Sequence, residues 1–413
     1  MKKLLIVFAL ALLAACAQPA EQPKEIPIGV LVDLSGPLTT FGTNIKNTLV
    51  VAEEDINSYL KGKGLPYRVK FYYEDTKVDP KVALEKVQAL DAKGVKIFIG
   101  PMASGEVRGI MGYVNANKLI IVSPSSTALP HLLGATKPED KTYIFRFVAT
   151  DDFQTRAIAS EIESLEIKAV AIIHIGNAWG RGLCEAIEPL LKEKKVEILT
   201  KVEYPSPPPA DFSPYIAELE RAISGNYEKF RGKIAIVAFS YEEVATILAQ
   251  TKADSILLNV LWIGCDGTAK SAKVVGEVCD KASKVKLFST LFESYGRGLE
   301  NLTKKMREKG IKDDPYQYAL NAYDAAWVLT LSYIEVVREK GKYDADLMAK
   351  KIIDVTKKYS AGEYGIKTVS GFIQLNVWND RASGDFAIFQ VTPKCTWEKV
   401  GVWKFETGKI EWK

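Results

Sequence analysis

Hydroxyl-bearing residues follow the apolar, strand-like runs in the first third of this 413-residue chain. Aromatic residues and one aspartate follow such runs in the middle third. Ser35-Gly36-Pro37 and then Phe41 come after Ile28–Leu34, Pro101 to Ser104-Gly105 after Lys96–Gly100, and Ser123-Pro124-Ser125-Ser126-Thr127 at the end of Leu119–Ser123. Further on, Gly176 to Trp179-Gly180, Ser240-Tyr241 and Asp266-Gly267 occupy the same positions. Open parallel sheets take ligands just beyond the carboxyl ends of their strands, so these are the candidate contact residues. Hydroxyls and unpaired amides at helix N-termini suit an anion, because those amides lack partners and the helix dipole favours negative charge. Ser104, opening a helix, and the turn holding Ser125 and Thr127 answer to that description. The carboxylate of Asp266 suits a cation through a charge-assisted hydrogen bond. Phe41, Trp179 and Tyr241 would wall an apolar pocket, with Ser240 the alternative to Tyr241 at its strand end. An anionic group and an ammonium held across one cleft describe an α-amino acid zwitterion. Taken singly, a serine after a strand is commonly a helix cap and Asp-Gly an ordinary turn; the argument lies in their joint placement.

The elements that must carry these residues alternate between strand and helix. Ile28–Leu34 predicts a strand. Ile45, Leu49, Ala52 and Ile56 predict a helix over Asn44–Leu60, and Asp79-Pro80 caps another. After Thr150 the pattern restarts: Ala169–Ile175 is fully apolar, and strands at Val196–Tyr204, Lys233–Phe239 and Val260–Gly264 alternate with helices. Such alternation implies right-handed crossovers and parallel sheets, and two series imply two open α/β lobes with a cleft between them. A long helix over Pro315–Lys340, whose aromatics read as core, a second helix over Asp344–Tyr359 and a hairpin around Glu406-Thr407-Gly408 add back onto the lobes. The expected division is lobe 1 over 26–150 and 290–384, lobe 2 over 151–289 and 385–413. Hinge strands then cross near Thr150, Leu287–Thr290 and Gly384.

The start of the chain points outside the cytoplasm. Lys2-Lys3, the apolar run Leu4–Leu13, then Ala14-Ala15-Cys16 read as a lipoprotein export signal over 1–15, with Cys16 free to carry lipid after cleavage. The apolar run is too short to span a hydrocarbon core of about 30 Å permanently. Residues 16–25, with two prolines, read as a tether. A net charge of +4 leaves no nucleic-acid footprint. With two histidines and no Cys-x-x-Cys, a zinc site is not expected, and no other cofactor is implied. Under oxidising conditions Cys265 and Cys279, close in sequence, are the first candidates for a disulfide. No Gly-x-Ser-x-Gly elbow or P-loop is present, so the reading is a binding protein and not an enzyme.

Asp33-Leu34-Ser35-Gly36-Pro37 with Phe41-Gly42, Asp55-Ile56-Asn57, Gly100-Pro101 with Ser104, and Ser123–Thr127 resemble the type I periplasmic binding proteins for leucine, isoleucine and valine. The likeness continues through Arg146, Asp151-Asp152, Gln154 and Ile172-Ile173-His174 to Trp179-Gly180-Arg181-Gly182, and extends from about Ile28 to Val391. The resemblance implies that Ser104, Ser125 and Thr127 hold a ligand carboxylate, that Asp266 takes the ammonium, and that Phe41 and Trp179 line the side-chain pocket. Asp266 stands where the family often has a longer glutamate, and Trp179 where a tyrosine is frequent. It further implies a monomer, anchored to a membrane by lipid, that closes around a small amino acid and hands it to an ABC permease. Alternatives on the same fold are an amide, urea-like or aromatic-acid ligand, or a sensor subunit.

Overall fold

The computed structural model describes residues 22–413; the export signal and Cys16 lie outside the described residues. The first series is β1 (Lys24–Val32), α1 (Thr39–Gly62), β2 (Tyr67–Asp75), α2 (Pro80–Ala92), β3 (Ile97–Ile99), α3 (Ser104–Asn117), β4 (Ile120–Ser123) and β5 (Ile144–Arg146). These strands form a five-stranded parallel sheet in the order β2-β1-β3-β4-β5. β1 starts at Lys24, inside the stretch read as tether, and pairs there with β2. Asp79 accepts from the Lys81 and Val82 amides with Pro80 in the first turn, as its sequence implies.

The second series is α4 (Asp151–Ser164), β6 (Ala169–Ile175), α5 (Ala178–Glu193), β7 (Glu197–Tyr204), α6 (Ser213–Ser224), β8 (Ile234–Phe239), α7 (Val244–Gln250) and β9 (Leu261–Gly264). It continues through α8 (Ala272–Glu277) and α9 (Cys279–Lys284) to β10 (Phe288–Phe292). Every residue of β6 and β8 is buried, because helices cover both faces of a parallel sheet and their strands become continuous apolar runs. After β10 come α10 (Leu299–Glu308), α11 (Gln317–Lys340) and α12 (Ala345–Ala361), then β11 (Phe386–Val391), β12 (Trp397–Lys404) and β13 (Lys409–Trp412). β11 to β13 extend the second sheet antiparallel, giving eight strands in the order β13-β12-β11-β10-β9-β8-β6-β7. α11 is apolar nearly all round and is buried against α1, β3 and α12 of the first lobe.

Two expectations change. β10, including Leu291 and Phe292, is a full member of the larger sheet, so the chain leaves it only after Phe292 and not within Leu287–Thr290. The disulfide joins Cys279 to Cys395, not to Cys265. Cys265 directly follows β9 inside the second lobe, with its thiol against the carbonyls of Ala238 and Ser240 at 3.6 and 3.7 Å, and is fully buried. Cys279 sits at the start of a surface helix, beside the turn between β11 and β12 that carries Cys395. Cys184 and Cys265 are free and buried.

The bridge spans a sequence separation of 116 residues, long enough to remove much entropy from the unfolded chain, typically about 2–4 kcal/mol. Replacing both Cys279 and Cys395 by serine is expected to lower the unfolding free energy by that amount and the urea midpoint with it, whereas Cys265→Ser leaves the bridge and its contribution in place. Urea titrations under non-reducing conditions check this; equal midpoints for the double variant and the parent would contradict a stabilising bridge.

Candidate functional site

Seven of the eight nominated residues, Phe41, Ser104, Ser125, Thr127, Trp179, Tyr241 and Asp266, line one cavity between the two sheets. Each stands where a strand ends. Leu38 and Phe41 follow β1; Met102, Ala103 and Ser104 follow β3; Ser125 and Thr127 follow β4. From the other lobe, Trp179 follows β6, Tyr241 β8 and Asp266 β9. Parallel strands point their carboxyl ends the same way, so residues far apart in sequence meet there. The eighth residue, Ser240, does not face the cavity. It is fully buried, with its hydroxyl donating to the Tyr241 carbonyl at 3.1 Å, so Tyr241 is the aromatic at that strand end.

On the first lobe the turn after β4 is tied from several sides. The Ser104 Oγ accepts from the Ala128 amide at 3.1 Å and lies 3.0 Å from the Ser126 Oγ. The Ser125 hydroxyl donates to the Met102 carbonyl at 3.0 Å, so its proton is spent within the protein and only its amide and lone pairs remain for a ligand. Arg146, wholly buried, grips Asp380 through Nε and Nη2 and turns Nη1 to the carbonyls of Ser126 and Ala128. Lys141 completes that group by donating to Asp380 and the Trp378 carbonyl. A buried guanidinium thus fixes the backbone of the hydroxyl-rich turn.

The other jaw is acidic. Asp266 is 4% exposed; its Oδ2 accepts from the Tyr318 hydroxyl at 2.6 Å, and its amide donates to the Gln154 Oε1 at 2.9 Å. Asp151 is also buried and receives the Gln154 Nε2 at 3.4 Å on Oδ1. The Asp266 Oδ1 and the Asp151 Oδ2 have no hydrogen-bond partner. Burial pushes the pKa of both carboxyls upward, and for Asp151 the negative charge of Asp266 adds to the rise while the Thr127 hydroxyl opposes it. A positive charge placed between them would relieve both effects.

Aromatic rings close the rest. Trp179 and Tyr241 stack at 4.6 Å with their planes 13° apart. Gly267 makes room for that stack: a Cβ there would fall 2.8 Å from the Trp179 ring and 2.9 Å from the Tyr241 ring. Phe41 packs at 5.1 Å on Tyr318. Tyr318 and Leu38 escaped the sequence reading, and Met102 lay within the stretch Pro101 to Ser104 without a role of its own. Tyr318 is the second residue of a helix whose aromatics otherwise pack in the core, and no local pattern separates it from them. Asp151 and Gln154 were visible in the sequence without a role. Among the described residues no cluster of three or more His, Cys, Asp or Glu could hold a metal ion.

The family model for periplasmic binding proteins matches residues 25–395. An uncharacterized protein of Methanocaldococcus jannaschii is 48% identical over 97% of each chain. The Leu/Ile/Val-binding protein BraC3 of Rhizobium johnstonii is 25% identical over 84% of this chain and 90% of its own. Among solved structures, the leucine-binding protein LivK of Thermotoga maritima superposes with a TM-score of 0.71 at 20% identity, covering 91% of this chain and 98% of that one. At that identity the likeness is one of fold. Two parallel-sheet lobes, a cavity at their strand ends and a family match across nearly the whole described chain lead to one assignment: the chain belongs to the type I periplasmic binding proteins, the leucine/isoleucine/valine-binding family of ABC-transporter substrate-binding proteins.

Proposed function

We propose that this protein captures a small hydrophobic α-amino acid, branched-chain in the first instance, by closure of its lobes, and delivers it to an ABC importer from a lipid-anchored position outside the cytoplasm. The observation that carries the ligand class is the buried carboxylate of Asp266, with one oxygen unpartnered and Asp151 behind it, in a cavity that it shares with Ser104, Ser125 and Thr127. In this reading the ammonium lies between Asp266 and Asp151, and the carboxylate meets Ser104 and the amides of Ser125 and Thr127. The side chain lies against Leu38, Phe41, Trp179, Tyr241 and Tyr318. Amides, urea-like compounds and aromatic acids bring no positive charge to that acidic jaw. The names of relatives such as the Leu/Ile/Val-binding protein BraC3 support the branched-chain choice. Anchoring rests on the N-terminal order of basic, apolar and small residues before Cys16.

Binding only to the folded state raises the melting temperature by mass action. A panel of the twenty amino acids, benzoate and urea is therefore expected to give its largest shifts with leucine, isoleucine or valine, and none with benzoate or urea. A shift confined to benzoate or urea would overturn the amino-acid reading.

Asp266→Asn is expected to weaken binding of the best amino acid by about 2–5 kcal/mol, the cost of removing one partner of a buried charged pair; unchanged affinity by calorimetry would remove Asp266 from that role. Binding of an ammonium requires ionised carboxylates, and both folded-state pKa values are raised. Parent affinity is therefore expected to fall on acidification already above the ordinary aspartate range, because protons compete for the same oxygens. Cys16→Ser is expected to free the protein from the membrane fraction of cells; the same lipid labelling in that variant as in the parent would refute acylation at Cys16.

A further inference from the structure

The helix α1 starts without a cap of its own. Leu38, at the N-cap position, offers no side-chain acceptor, and the first turn holds no acidic residue. The first amides of any helix lack intrahelical partners. Here the missing acceptor comes from the opposite lobe. Glu242, two residues beyond Ser240 after β8, accepts the Thr40 amide on Oε1 at 3.1 Å, while its own amide donates to the Pro37 carbonyl at 3.3 Å. The Ala272 amide, first in α8 of the second lobe, donates to the Thr40 Oγ1 at 3.3 Å. Glu242 itself is 2% exposed, whereas the bond from Ala272 to Thr40 lies at the surface.

We propose that Glu242 is a positioning residue that latches the closed lobes by capping α1 in trans across the cleft. Its bonds join β8 and α1, which sit on different sheets, so they form only when the lobes meet. The same turn of α1 presents Phe41, with Leu38 just before it, to the cavity. Seating these two side chains on a ligand and completing the cap are therefore one movement. A carboxylate also suits that end of the helix, where the dipole is positive. Glu242 touches neither the cavity nor the proposed ligand, so it acts on binding through the stability of the closed state alone.

This inference rests on the proposed lobe closure, and its test reads the latch separately from the ligand. Full mature chains of the parent, Glu242→Ala and Glu242→Gln are compared by amide hydrogen exchange over residues 37–42 and 270–273, with and without L-leucine, L-isoleucine or L-valine, and by ligand dissociation kinetics. Loss of an N-cap acceptor corresponds to about ten-fold in an equilibrium. Glu242→Ala is expected to speed exchange at Thr40 and Ala272 and to raise the dissociation rate about ten-fold. Glu242→Gln, which keeps an acceptor oxygen, is expected to fall between the two. Unaltered exchange in the alanine variant would overturn the latch. So would faster exchange with a lowered melting temperature but an unchanged dissociation rate, since that would be a cap for the fold alone. If the parent binds none of the three amino acids, the ligand reading fails while faster exchange in ligand-free Glu242→Ala still supports the latch and unaltered exchange still overturns it. Should the alanine variant fail to fold, the glutamine variant decides by the same two readouts.

Discussion

Two carboxylates buried side by side between the lobes are the constraint around which this cleft is built. Removing a carboxylate from water is costly, and a second one nearby raises the cost further. The protein offsets part of it locally. Tyr318 donates to Asp266, Gln154 serves both residues, and the Thr127 hydroxyl faces Asp151. One oxygen on each acid is left without a partner. Tyr318 belongs to α11, packed on the first lobe, and Asp266 to the second, so the acids are best supported when the lobes are together. Charge in the cleft and closure of the cleft are thus one problem with one solution.

The loops around these acids are held by buried charge as much as by apolar packing. Asp33, at the end of β1, accepts the amides of Ser35, Gly36 and Leu38 and so shapes the loop that delivers Leu38 and Phe41. Gly42 lets the start of α1 press against that strand end, since a Cβ there would lie 1.6 Å from the Asp33 carbonyl oxygen. Arg146 does the equivalent for the turn of Ser125 and Thr127, and its partner Asp380 comes from a segment paired beside β5. Breaking such a buried pair leaves an uncompensated charge and is far more damaging than the pair is stabilising. This spends stability on geometry: the backbone amides that a ligand would meet are fixed before it arrives.

How much of this was legible in the sequence follows from the range of each signal. Apolar periodicity is local, so the strands Ala169–Ile175 and Ile234–Phe239 and the capped helix after Asp79 could be read directly. The residues that line the cavity were legible because strand ends converge by topology, which needs only strand order and direction. Tyr318 was not, because it reaches the cavity from a helix that enters late in the chain and packs on the opposite lobe. The pairing of Cys279 with Cys395 was hidden for a similar reason: β11 returns beside β10 only in three dimensions, while proximity in sequence favoured Cys265. β5, three residues long, and the helix α4 carried too little pattern to be noticed beside their neighbours.

The same return of β11 bears on how the lobes can move. β10 and β11 pair from Phe288–Gln390 to Phe292–Phe386, so two of the three passages between the sheets leave the second lobe side by side as one ribbon. Gly384 lies hard against the Phe292 ring, where a Cβ would approach to 2.2 Å. The third passage, from Arg146 to Asp151, starts at the strand edge against which Asp380 and Arg381 pair. The passages therefore lie beside one another at each sheet, and a rotation there disturbs neither core. What such a rotation would break is the set of bonds across the cleft, from Tyr318 to Asp266 and from Thr40 to Glu242. Those bonds are exchanged for water at small net cost, while opening also uncovers the aromatic walls of the cavity and the contact of Leu132 with α5. On the proposed function, the balance between open and closed states is set by what neutralises the acidic pair, so that the charge of a small ligand governs the position of a whole lobe.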